Sequence, residues 1–577
     1  MKPAFPNFAV RLVWAVALVL SVTFSVNAQR QMEKLGRGVA AIHNNSSQVY
    51  LSWRLLATDP DGTGFNVLRS ANGATPVQIN SQLITNTTDF LDLSATFTIS
   101  NAWFVQPVFN SATQTLSAPW GLAANSAVKQ YFSVPLHATG GAAAPYDVKF
   151  CWVGDIDGDG EYDFVVDRMS TTIATNEFLQ AYRRDGTFLW QMDMGYNSTN
   201  QYNIEPGASA ISIGDKDNVT VYDLDGDGRA EVCVRTARGT VLPDGTVITG
   251  PDDITQYLSI LDGLTGKELA RTTLTNLWPG DGPLNCHFGI MYCDGVRPSL
   301  VIEGENRNAA LAFQRETMTF DYRNGQLTRR WFWTQSTNSP IDYAWGHQIR
   351  IADVNHDGID DLIEVGSVKN GVDGTPIFGT ELGHGDRYHT GDFDPDRRGL
   401  ETYSIQQLNS TLLATMLYEA GSGKIIKKWY APVVVDVGRG DALDMDPRTK
   451  GVELFSTQPG IYDCKANTIS NSVAPFPTLG IWWDADNMRE MFSAADGNGY
   501  NPVINKWNYA NNSAGRMYSI YNEGVHTAYG GRPAFWGDIL GDWREEFIVV
   551  ANDYSEIRIY STTIAATNRL YCLMQNP

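Results

Sequence analysis

The stretch "GDIDGDGEYDFVV", Gly154 to Val166, sets three aspartates at alternate positions around a glycine turn and runs straight into an apolar strand. Carboxylates this close repel one another unless a cation sits among them. Alternating oxygens around a tight turn form the hard cage that calcium prefers. An EF-hand would continue into a helix. Here a strand follows and Asp163 closes the loop early, giving an EF-hand-like loop on a β frame.

The loop recurs. Asp155, Asp157, Asp159 and the closing Asp163 are echoed by Asp223, Asp225, Asp227 and Glu231, and then by Asp353, Asn355, Asp357 and Asp361. The seventh positions, Glu161, Arg229 and Ile359, belong to the same ligand sets. Further copies stand at Asp392, Asp394, Asp396 and Glu401, and at Asp444, Asp446 and Glu453. Weaker echoes lie at Asp294, at Asp484 with Asp486, and at Asp538 with Asp542. That makes eight units at an irregular period of roughly 40 to 70 residues. Each leads into a β-branched or aromatic run, and several carry a hairpin such as "LSILDGLTGKELA". A unit of about four antiparallel strands cannot bury its own faces, whereas radial stacking buries them and protects the edges. The reading is an all-β chain folded as an eight-bladed, calcium-binding β-propeller. Repetition gives the loops a structural role in each blade, since an active site occurs once.

Residues 36–135 alternate in strand fashion, as in "QVYLSWRLL" and "NAWFVQPVF", and predict a small N-terminal β-sheet or fibronectin-like domain. A Gly/Ala-rich linker, 136–145, leads into a propeller domain spanning 146–577. At the start, Lys2 and Arg11 precede an apolar run and a small-x-small site at Val26–Ala28, so residues 1–28 read as a signal peptide and the protein as secreted or periplasmic. No later run is long and apolar enough to span a bilayer. A net charge of −21 argues against nucleic-acid or anionic-membrane partners. Six cysteines are too few for a disulfide scaffold, and the spacing of Cys286 and Cys293 leaves a bridge between them undecided.

The residues that interrupt the repeat carry the chemistry. "LGHGDRYHTGDFDPDRRGLE", 382–401, gathers His384, Asp386, Arg387 and His389, which suit ligands at a cleft. "VGRG" presents Arg439 from between two glycines. "IWWDADNMREMF" and "INKWNY" place Trp483 and Trp507 near Lys506, the composition of a sugar-binding surface, although Trp482 and Trp483 could equally be blade core.

In this order, the acidic loops together with "YCDGVRPSLVI", "LGHGDRYH", "VGRG", "WWDADNMRE", "KWNY" and "ILGDWREEFI" resemble the rhamnogalacturonan lyases of polysaccharide lyase family 11. The likeness runs from about residue 36 to the end of the chain. It implies a calcium-rich propeller that cleaves the pectin backbone rhamnogalacturonan I at the rhamnose-(1→4)-galacturonate bond by β-elimination. It further implies Arg439 and Lys506 as the pair handling carboxylate and proton. His384 and His389 would be calcium or substrate ligands, and Arg387, Trp483 and Trp507 substrate contacts. Calcium would be the cofactor, with several structural ions and one near the active site. The partner would be the pectin polysaccharide, met by a monomer. The chain stops at "RLYCLMQNP", short of the sequence expected to lock the last blade. Two rivals stay open: an integrin-like binding propeller without catalysis, and a glycoside hydrolase with paired carboxylates on the same scaffold.

Overall fold

The computed structural model describes residues 30–575, apart from 140–145, 172–173, 200–217, 311–312, 336–345, 381, 383, 473, 475, 477–478, 497–498 and 528–530. The signal peptide 1–28 and most of the 136–145 linker lie outside the described residues. Those described contain strands and short 3-10 turns only. The fold is all-β.

The N-terminal unit is built from two sheets. One joins Ala40–Asn45, Gln48–Ser52 and Asp89–Asp92, and the other centres on Gly64–Ala71 paired with Asn101–Phe109. Along Asn101–Phe109 burial alternates, so Trp103 and Val105 face inward and meet Trp53, Phe65 and Val67 in one apolar cluster.

Eight antiparallel sheets of four or five strands then follow one another along the chain. Their first strands are Cys151–Gly154, Val219–Tyr222, Asn285–Met291, Arg350–Ala352, Gly385–Gly391, Gly440–Leu443, Leu479–Ile481 and Phe535–Gly537. In seven of them an acidic residue opens the second strand: Asp163, Glu231, Asp361, Glu401, Glu453, Glu490 or Glu546. The acidic loop therefore always bridges the first strand to the second. Second strands such as Asp163–Ser170 and Glu546–Ala551 are buried throughout, because their sheets are covered on both faces. Fourth strands such as Glu268–Thr273 are outer edges and alternate half-buried residues with exposed ones, here Leu269, Arg271 and Thr273. Apolar clusters fill the space between each sheet and the next. Another cluster, with Val153, Phe164 and Val166 against Ile548, Val550 and Ile559, joins the first sheet to the eighth.

Tyr131–Pro135, read from sequence as part of the N-terminal domain, instead forms the outer strand of the eighth sheet, pairing Val134 with Ile557. The closing strand comes from ahead of the first sheet. The N-terminal unit straddles the same seam. Buried Arg54 donates to Glu161 Oε2 at 2.9 Å and Gly160 O at 3.1 Å in the first sheet's loop, and to Ile539 O at 2.8 Å in the eighth. All six cysteines are free and buried, so Cys286 and Cys293 form no bridge.

Candidate active site

The acidic loops share one local geometry. Asp155 Oδ1 accepts the Gly158 N–H and Oδ2 that of Gly160, both at 2.8 Å, while Asp157 and Asp159 accept N–H groups two residues on. Asp223 repeats this with Gly226 and Gly228, and Asp353 with Asp357 and Gly358. The glycines at 158, 160, 226, 228 and 358 take positive φ, which lets the backbone fold under its own carboxylates. Ligand oxygens of Asp155, Asp157 and Asp163 lie within 4.8 Å of one another, as do those of Asp223, Asp225 and Glu231. Asp163 Oδ2 and Asp361 Oδ2 are buried without a hydrogen-bond partner. Burial first and neighbouring carboxylates next push Asp163 and Glu231 each up to about 8, and Asp361 to about 7. Orphaned oxygens in a crowded acidic cage fit a divalent oxygen-seeking cation, so these residues could hold calcium.

The side chains of Glu161 and Arg229 are engaged elsewhere, Glu161 with Arg54 and Arg184, and Arg229 with Asp227 at 3.3 Å. The later loops carry their own cations. Arg397 sits 3.2 Å from Glu401, Lys465 2.7 Å from Asp396, and Arg448 clasps Asp446 at 2.6 Å. Asp392 opens the first of these loops.

The other ends of the first strands hold a different population. Arg350 begins the fourth sheet's first strand, Asp386 and Arg387 lie near the start of the fifth, and Arg439 stands just before the sixth. Burial first, and then the charges of Arg439 and Arg532, lower the Arg387 guanidinium to about 9, with Arg350 adding to the repulsion and Asp441 opposing it. Four arginines therefore converge in a protein of net charge −21. His389 donates from Nε2 to Gly440 O at 2.9 Å and turns Nδ1 to Asp441 Oδ1 at 3.5 Å, and burial lowers its pKa below the ordinary 6.5. Beside it, His347 and His384 bring Nε2 to within 3.4 and 3.6 Å of Asp386 Oδ1. Burial opposes ionisation of Asp386, yet the two imidazoles hold it far below the usual carboxylate range. Gly438 takes φ 64°, a conformation that favours glycine, and a Cβ there would also press against Asp436 Oδ1 at 3.2 Å, which explains the glycine before Arg439.

Thus the structure gathers Arg439, Arg387, Asp386, His384 and His389, and adds Arg350, Arg532, His347, Asp436 and Asp441. Arg532 follows Gly531 much as Arg439 follows Gly438, a glycine-flanked arginine that sequence could have flagged. His384 shares its potential metal group with His347 and Asp386, while His389 is committed to Gly440 and Asp441.

Three expectations are corrected. Lys506 does not join Arg439. It lies late in the third strand of the seventh sheet, at the acidic-loop end, with Nζ held by Asp484, by Asp486 at 2.8 Å and by Glu490 at 2.9 Å. Burial acts against its charge but these carboxylates raise its pKa, the reverse of what a general base needs. Trp483, 2% exposed, packs against Phe547 and Phe492 between the seventh and eighth sheets. Trp507, 4% exposed, lies between the sixth and seventh sheets with Leu443 and Phe455. Neither ring offers a face to a sugar.

Fold and site together define an all-β protein of tandem antiparallel sheets with an arginine, histidine and carboxylate centre at one end of their first strands. The model of "Rhamnogalacturonan lyase family 11, C-terminal domain" matches residues 131–577, and that of the "Rhamnogalacturonan I lyases beta-sheet domain" matches 30–121. The chain belongs to rhamnogalacturonan lyase family 11. It is 33% identical to the rhamnogalacturonan endolyase YesW of Bacillus subtilis, over 95% of this chain and 88% of the relative. It is 32% identical to the exolyase YesX of the same organism, over 95% and 92%. The crystal structure of YesW superposes with a TM-score of 0.82 at 31% identity, covering 95% of this chain and 94% of that one. A Bacillus licheniformis family 11 lyase gives 0.81 at 30%, with coverage of 95% and 94%.

Proposed function

We propose that this protein is a pectin-degrading rhamnogalacturonan lyase that cleaves rhamnogalacturonan I at the rhamnose-(1→4)-galacturonate bond. Family membership supports the activity. The observation that carries the chemistry is the convergence of Arg350, Arg387, Arg439 and Arg532 on one basic centre within an acidic protein.

Elimination must remove H5, which lies α to a carboxylate anion and is therefore very weakly acidic. Guanidinium groups neutralise that carboxylate and stabilise the enolate-like charge as it develops. Arg439, standing between Gly438 and Gly440, takes this role with Arg387. A neutral imidazole at working pH suits the proton acceptor, and burial lowers the His389 pKa; with Nε2 donating to Gly440 O, His389 would accept the proton at Nδ1, beside the Asp441 carboxylate that stabilises the imidazolium formed. The C5–H electrons form the C4=C5 bond, the C4–O bond breaks, and the departing rhamnose-linked oxygen takes up a proton. The product end is an unsaturated uronate. His347, His384 and Asp386 could hold a divalent cation beside this centre. Such a cation, when bound, supplies further positive charge for the uronate carboxylate.

On this reading the eight sheets are the blades of a propeller. Its support is the apolar packing of every sheet on the next and of the eighth on the first. Calcium fills the loops at Asp155, Asp223 and Asp353 as a structural ion. The N-terminal 28 residues direct the chain to a secreted or periplasmic location, where it acts as a monomer on a polysaccharide, with neither nucleic acid nor membrane as partner. Paired-carboxylate hydrolysis and non-catalytic adhesion both leave the arginine centre without a role.

The test is direct. Rhamnogalacturonan I incubated with the protein should gain ultraviolet absorbance from unsaturated uronate. New reducing ends without that absorbance would identify a hydrolase instead.

A further inference from the structure

The seventh sheet's acidic loop departs from the first two in what sits inside it. Oxygens of Asp484, Asp486 and Glu490 come within 4.8 Å of one another, the arrangement found at Asp155, Asp157 and Asp163 and at Asp223, Asp225 and Glu231. Glu490 opens the second strand, and its Oε2 accepts the N–H of Trp483 at 3.0 Å and of Asp484 at 3.2 Å, as the Glu453 carboxylate does for Met445 and Asp446. The frame is therefore that of a metal loop. Its centre, however, holds the Lys506 ammonium, which meets all three carboxylates.

An ammonium has three donors, and here three acceptors surround it. The third strand, Pro502–Asn508, runs antiparallel to the second, so its late residues return to the loop end and Lys506 enters from behind. Among the described residues, no side chain does this at the first loop. Arg183 touches only Asp157, at 2.9 Å from the surface, and Asp163 Oδ2 keeps no partner. At the second, Arg229 pairs with Asp227, outside the ligand trio.

We propose that Lys506 is a built-in cation: its ammonium occupies the metal position of the seventh loop, which consequently takes no calcium, and removing it would open a divalent-cation site formed by Asp484, Asp486 and Glu490. This rests on the reading that the loops at Asp155, Asp223 and Asp353 hold calcium. It also reassigns Lys506 from the catalytic role implied by family resemblance to the frame.

Calcium bound per chain, counted by equilibrium dialysis on the full-length protein, decides it. Lys506→Met is expected to bind about one calcium more than the unmodified protein, since the trio regains its charge and loses its occupant. Calcium should then raise the variant's melting temperature further than it raises the parent's. A folded Lys506→Met that binds no additional calcium overturns the proposal. Should that variant fail to fold, Asp486→Asn serves, because the Asp486 side chain is 53% exposed and its loss is tolerable. Asp486→Asn should leave the calcium count unchanged, and loss of one ion would show that the loop holds metal despite Lys506. Asp225→Asn, by contrast, should lose one ion. If it loses none, the calcium reading of the ordinary loops fails, whatever the outcome at Lys506.

Discussion

The chain turns through Gly438 at φ 64° just before Arg439, whose Nη1 donates to Gly438 O at 3.3 Å, so Arg439 should act through placement as much as through charge. Arg439→Ala is expected to lower kcat/KM on rhamnogalacturonan I by about 10²- to 10³-fold, with Arg439→Lys recovering little of it. Unsaturated-uronate absorbance measures this. The tryptophans give the opposite expectation. Trp483→Ala should cost about 3–5 kcal/mol of stability by opening a cavity, while the folded fraction keeps its turnover, because no ring face is lost to substrate. Asp167 offers a pH test away from any metal loop. Burial first pushes its carboxyl up to about 7, although the Phe150 and Lys149 N–H groups oppose this. The unfolded chain releases that proton near about 3.9. This contribution to stability is therefore full below about 4 and declines as pH rises towards 7. Asp167→Asn should raise the melting temperature at pH 8 and leave it nearly unchanged near pH 4. Equal shifts at both would show that ionisation is not the source. At this scale the sequence was legible where function interrupts a repeat, as at His384, Arg387 and Arg439. It was opaque for Arg350 and His347, isolated residues that only tertiary packing brings to the centre. It misled at Lys506 and at Trp483 and Trp507, because a strand's alternation shows which residues share a face and not which face is covered.

The acidic loops were readable because everything that defines them falls within nine residues: alternate oxygens, glycines at positive φ, and an acid opening the next strand. The closing strand was not, because Tyr131–Pro135 carries no local mark of its partner Glu556–Tyr560. Each kind of element yields a prediction. Chelation should lower the melting temperature and calcium restore it, with Asp223→Asn weakening the effect without abolishing it, since sibling loops remain. Val134, fully buried in the outer strand of the eighth sheet, is the test of closure. Val134→Asp should destabilise by about 3 kcal/mol or more, through an unpaired charge at a buried pairing position. Val134→Ile should be nearly neutral.

Across the whole molecule, first sheet, eighth sheet and N-terminal unit meet at Arg54, whose side chain is 1% exposed. Arg54→Met removes one partner from Glu161, leaving Arg184 to hold it, and severs the link to Ile539. Calorimetry should then resolve the N-terminal unit as a separate, earlier transition from what is expected to melt as one. Retention of a single transition would show that the unit is held by its apolar contacts alone. The seam also has a consequence in time. Val134 and Ile557 lie roughly four hundred residues apart, a long-range contact even in a chain of this length. During synthesis at about 5–20 residues per second, the early strand must wait on the order of half a minute for its partner to leave the ribosome. Throughout that wait the strand is an unsatisfied edge, and the nascent chain cannot finish folding until its last hundred residues exist.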